Sequence, residues 1–168
     1  MTTFAFPSIT PATNTFELVS NTRTYQSPLT NAVQTASRKG SLWKASLQFN
    51  NLSGDDRKVM QAFLVKLNGQ QHRFTLQDHS HTLRGAGGGN LVVNGANQSG
   101  TTLVCNGATA NVNNYLRAGD YVSFNNELHM VVADTNSDGS GNVSISIAPP
   151  IRKSPPDDTI VDYTAPVQ

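Results

Sequence analysis

The sequence predicts a mainly β protein with one helix, in which a first domain carries an inserted small β-barrel-like domain of OB or SH3 type. Three observations lead there. Asn (17), Ser (15), Thr (17) and Gly (13) make up more than a third of the 168 residues. Such residues suit turns and strand surfaces and weaken helices. Residues 41–50, "SLWKASLQFN", alternate strictly: Trp43, Ala45, Leu47 and Phe49 on one face, Lys44, Ser46 and Gln48 on the other. That is the period of a strand with one buried face. Residues 91–151 are a run of short apolar stretches separated by turn residues, the density expected of a small barrel.

In chain order, residues 1–15 read as an extended arm. Pro7 and Pro11 remove backbone donors there. Phe4 and Phe6 alternate on the arm, so they are candidate assembly residues, docking as an edge strand on another surface; packing on their own domain is the alternative. "TFELVS" (15–20) and "AVQTAS" (32–37) read as strands around the turn "SPLTN", followed by a basic turn, Arg38-Lys39-Gly40. One helix is expected over 54–68. Ser53 is its N-cap, Asp56 completes a capping box, and Asn68-Gly69 ends it. Val59, Met60, Phe63, Leu64 and Leu67 form its apolar stripe. "HRFTLQ" (72–77) is the next strand, with Phe74 and Leu76 inward. Trp43, Leu47, Phe49, Phe63 and Phe74 are thus the predicted core.

"RGAGGGN" (84–90) reads as a flexible hinge into the insertion. Two Asn-Gly pairs, at 94–95 and 106–107, and Asn125-Asn126 signal two-residue hairpins. "NVSISIA" (142–148) turns Val143, Ile145 and Ile147 inward, and the prolines at 149–150 stop it. A last strand, "DDTIVDYTAPV" (157–167), returns to the first sheet. The expected organisation is therefore residues 1–82 with 152–168 as one domain and 83–151 as the insertion.

Composition narrows function. Net charge is +1 with 14% charged residues and no basic stripe, which disfavours nucleic-acid binding. The start lacks a signal-peptide pattern, and no apolar run approaches the roughly 20 residues of a membrane helix, so no membrane insertion is expected. The single cysteine, Cys105, forms no internal disulfide. "DTNSDGSGN" (134–142) offers Asp134, Asn136 and Asp138 as oxygen ligands before a glycine. The twelfth loop position, which should be a glutamate in a helix-flanked calcium loop, is Ile145, and the flanks read as strands, so a hairpin loop is the stronger reading. Asp78, His79 and His81 in "QDHSHT" form a second candidate metal set, with a polar strand end as the alternative. His72 and His129 lie within strands and read as ordinary histidines. Nothing carries the pattern of a nucleophile elbow or phosphate loop. No enzyme activity, catalytic residue or cofactor is expected.

The order of elements resembles the distal tail (tail-hub) proteins of long-tailed bacteriophages and prophages. The resemblance rests on "LWKASLQF", a capped helix ending "FLVKLNG", "HRFTLQD", "LVVNGANQSGTTLV", and "LRAGDYVSF" leading through "LHMVVADTNSDGSGNVSISIAPPIR" to a closing strand. It spans about residues 40–165. It implies a structural virion protein whose β-sandwich domain, with its helix, forms a ring, usually a hexamer, at the distal end of the tail tube. The ring joins tail-tube protein to tip or baseplate proteins and leaves a channel through which DNA passes without specific binding. It implies location in the virion tail, and in host cytoplasm during assembly. Outward-facing insertions in that family suggest the alternative of a carbohydrate- or receptor-binding module. The absence of a long receptor-binding arm after the last strand speaks against direct host recognition.

Overall fold

The computed structural model describes residues 2–37 and 40–167, so Arg38 and Lys39 of the expected basic turn lie outside the described residues. The chain is mainly β with one helix. In the first half, three two-stranded sheets stand beside the helix in place of the two larger packed sheets of the expected sandwich. β1 (Thr3–Ala5) pairs in parallel with β6 (Arg73–Thr75). β2 (Thr13–Val19) pairs antiparallel with β5 (Leu42–Gln48), and β3 (Thr22–Gln26) with β4 (Val33–Ser37). Residues 15–20 therefore pair with the tryptophan strand rather than with 32–37. β3, "TRTYQ", has no apolar alternation and is invisible to periodicity. The two antiparallel pairs follow one another as a long ribbon with its tip at 27–32.

Helix α1 (Gly54–Leu67) has the ends its sequence dictates. Ser53 Oγ accepts from Asp56 N at 3.1 Å and donates to Asp56 Oδ2 at 2.6 Å. Asn68 closes the helix in the left-handed conformation (φ 47°). Only part of the expected stripe is covered. Phe63 and Leu67 are buried, whereas Val59 and Leu64 are exposed.

The second half holds the main core. β7 (Gly89–Val93), β8 (Gly100–Ala108), β9 (Tyr121–Phe124), β10 (Glu127–Val131) and β11 (Val143–Ile151) form one curled antiparallel sheet in the order β7-β8-β11-β10-β9. Its inward residues, among them Leu91, Val93, Leu103, Val122, Ile145 and Ile147, are almost fully buried, and Tyr115 from the β8–β9 connection packs among them. The closing segment corrects the expected domain division. Residues 159–162 hydrogen-bond to both edges of this sheet: Val93 N to Thr159 O and Val161 N to Leu91 O on β7, Ser123 N to Asp162 O and Asp162 N to Ser123 O on β9. Val161 and Tyr163 join its core. A curled sheet has two unpaired edges, and one strand between them satisfies both. Among the described residues, the bridge Gln77↔Val167 is the one strand-like pairing of this segment with the first half.

Of three local signals, one holds and two read differently in place. Asn125 and Asn126 both adopt positive φ (51° and 58°) and make the expected tight β9–β10 turn. Asn106-Gly107 is not a turn; it lies inside β8. There a Cβ on Gly107 would stand 2.1 Å from Asn90 O, so glycine admits the close approach of β7. Pro149 and Pro150 do not stop β11, which runs to Ile151; they occupy its irregular stretch, where the missing donors interrupt no ladder bond.

Candidate functional site

Phe4 and Phe6 are half-buried against their own chain. Phe6 packs on Phe49, Phe63 and Phe74, with ring centroids 5.4–6.2 Å apart. Phe4 meets the His72 ring edge-on, and Lys66 Nζ lies 4.2 Å from its ring centre. The arm thus docks in cis, because β1 covers β6 and the aromatic cluster beside it. Of the predicted core residues, Phe63 alone is buried. Trp43, Leu47 and Phe49 are half-buried, and Phe74 is 40% exposed. The reason is physical: a two-stranded ribbon has no second layer to bury its inner face fully.

Trp43 instead links the two halves. Its Nε1 donates to Leu128 O at 2.8 Å, and its ring meets Tyr121 edge-on at 5.4 Å. Trp43→Ala is expected to lower stability by about 2–3 kcal/mol, below the usual loss for a fully buried tryptophan. Urea unfolding checks this; a midpoint unchanged from wild type would remove Trp43 from the junction.

The first candidate ligand set is occupied mainly by backbone. Asp134 Oδ1 accepts from Ala118 N (2.8 Å), and Asn136 Oδ1 from Asn114 N (2.7 Å). Asp138 Oδ1 accepts from Ser140 N and Asn142 N, and its Oδ2 from Asn142 Nδ2. The bonds from Asn142 hold the Asp138 carboxyl below the usual range. The three oxygens serve three different segments, so the loop is a hydrogen-bonded hairpin connection. Asp78 is buried and accepts from Asn14 Nδ2, Ser80 N and Ser80 Oγ. His79 is exposed, and His81 lies edge-on to Tyr121. Among the described residues, no three His, Cys, Asp or Glu side chains gather where a metal ion could be shared.

The glycine run is pinned, not flexible. Tyr115 Oη donates to Gly88 O, Gly88 N donates to Tyr163 Oη, and Tyr163 Oη donates to Gly89 O, at 2.7–3.1 Å. Asp120, fully buried, accepts from Arg84 N, Gly85 N and Arg117 N at 2.8–3.0 Å. Sequence reasoning passed over Asp120 because two of its three partners, Arg84 and Gly85, are 36 and 35 residues away. Its only signal is an aspartate directly before an apolar strand. Burial pushes the Cys105 thiol up to about 12, which leaves it inert in the folded state.

A second polar group was also illegible. His129 is buried, stacked on Phe124 (4.6 Å), with Nδ1 2.8 Å from Pro149 O. Its Nε2 lies 3.6 Å from Glu127 Oε2, a pair that would carry charge only with the imidazole protonated. Burial pushes the imidazole below its ordinary value and outweighs the upward pull of Pro149 O and Glu127. The contact is therefore not an ion pair at neutral pH. Because the folded value is depressed, the unfolded chain takes up the proton first as pH falls. The stability present above about 6.5 is then lost as pH drops toward the folded value. Urea midpoints should fall between pH 7.5 and 5.5, and His129→Gln should fall less over the same interval. Equal slopes would refute this assignment.

What remains exposed and apolar is the ribbon. Every residue of β3 is exposed, as are Val33, Gln34 and Thr35 of β4. Val19, Tyr25, Val33 and Leu42 are each about half exposed or more, and Leu29 at the tip is 94% exposed. Charge is sparse: Lys44 pairs with Glu17 across β2–β5 at 3.2 Å, in solvent, where such pairs contribute little. The outer face of α1 adds exposed Val59, Leu64 and Val65. No protein-family model matches the chain, and no curated protein matches it.

Proposed function

We propose that this chain is a structural subunit of a bacteriophage tail that assembles into a ring, a hexamer on the family resemblance, at the distal end of the tail tube. It joins tube protein to tip or baseplate proteins around a channel that DNA crosses without specific contacts, and it has no catalytic role. The observation that carries the reading is the ribbon. A two-stranded sheet is marginal in water by itself. Its free edges and exposed apolar side chains are what a neighbouring subunit would cover. Head-to-tail contacts of this kind close into rings when the rotation permits. Asp134 and Asp138 hold backbone N–H groups, Asp78 holds Asn14 and Ser80, and His81 lies against the Tyr121 ring. The receptor-module alternative loses support, because Tyr115, Tyr121 and Phe124, the aromatics of 83–151, are all buried and offer no platform for a sugar.

The test is the variant Tyr25→Ser, Leu29→Ser, Val33→Ser. Its native mass should fall to that of an 18.0 kDa monomer while its thermal midpoint stays near that of wild type. An oligomer of unchanged size would mean that the ribbon is not the assembly surface.

A further inference from the structure

We infer a second docking site, a cleft between the two halves of the chain that takes an extended acidic peptide of a partner protein. The cleft has a volume of about 490 Å³ and is lined by Leu42, His72, Arg73, Phe74, Asn126 and Arg152. Its charge is one-sided. Arg73 is exposed and makes no side-chain hydrogen bond or ion pair among the described residues. Arg152 lies 3.8 Å from Glu127 through Nε alone, and Glu127 also accepts from Arg152 N at 3.3 Å. Yet the Glu127 side chain is only 11% exposed against 38% for Arg152. The cation therefore reaches solvent where its counter-ion does not. His72 adds an imidazole whose Nδ1 accepts from Thr2 N, and Asn126 adds an amide from the β9–β10 turn. Arginine forks bind carboxylates in preference to neutral groups.

The walls favour a peptide over other anions. β6, which supplies Arg73 and Phe74, is paired only with β1, and β5, which begins at Leu42, is paired only with β2. Each strand keeps one unpaired backbone edge, where an extended peptide can add hydrogen bonds. Leu42 and Phe74, 53% and 40% exposed, can receive alternate apolar side chains. An acidic sugar has no use for strand edges. The cleft shares Leu42 and the edge of β5 with the ribbon, but its two arginines lie outside the ribbon, so their part in peptide binding can be tested whether or not the chain forms rings.

The experiment uses the full chain and a fluorescent octapeptide alternating Leu and Asp, followed by polarisation. Saturable binding is expected, weakened about tenfold or more in Arg73→Gln and in Arg152→Gln and in the matching Leu–Asn peptide, a loss of ~1.4 kcal/mol. Circular dichroism confirms that both variants fold. No binding, equal binding of the Leu–Asn peptide, or indifference to both substitutions would overturn the proposal. So would displacement by sodium glucuronate at the peptide's own concentration, which would assign the cleft to acidic sugars instead.

Discussion

Asp120→Ala should be among the most damaging single substitutions in this chain. The fully buried carboxylate accepts three backbone N–H groups, from Arg84, Gly85 and Arg117. Removing it leaves three part-buried donors without that partner, each of which would cost about 1–3 kcal/mol where water cannot replace it. The expected loss, roughly 3–6 kcal/mol, is a large share of the 5–15 kcal/mol typical of a whole domain. Asp120→Asn keeps one carbonyl oxygen and should lose less. The ordering wild type, Asn, Ala in urea midpoint is the expected result. An alanine variant as stable as wild type would mean that water replaces the carboxylate and that residues 84–88 are not anchored there.

Truncation after Pro156 should have a still broader effect. It removes Val161 and Tyr163 from the core and strips the partner from both edges of the curled sheet. Burial of those two side chains contributes about 3–6 kcal/mol, and the lost edge bonds add to it. The truncated chain should lose the cooperative unfolding transition and expose Cys105 to thiol reagents. The division drawn from sequence, with 152–168 in the first domain, predicts the opposite: an intact second half. A truncated protein that keeps its transition and a protected thiol would restore that division.

Local chemistry was legible, and long-range chemistry was not. Ser53, Asp56 and Asn68 act within a few residues of each other, so the helix could be read from its ends. Asn125-Asn126 specifies its own turn for the same reason. The alternation of Trp43, Leu47 and Phe49 correctly marks a strand, but period alone cannot say whether a second layer exists to bury it. Here none does, and Trp43 finds Leu128 O instead. Residues 159–162 have the same apolar pattern whichever sheet they join; edge satisfaction in the barrel decides it. Gly107 shows the converse: the Asn-Gly signal is strong locally, yet close approach of β7 explains the glycine better. The ligand-like residues Asp134, Asn136 and Asp138 were visible in sequence, whereas their backbone partners were not.

The ring claim rests on assembly, so the most direct measurement is the native mass of the unmodified full-length chain across a wide concentration range. The account predicts a closed species of about six times 18.0 kDa, with a mass that no longer changes once it has formed. A monomer at every concentration, with the ribbon still folded and exposed, would contradict it.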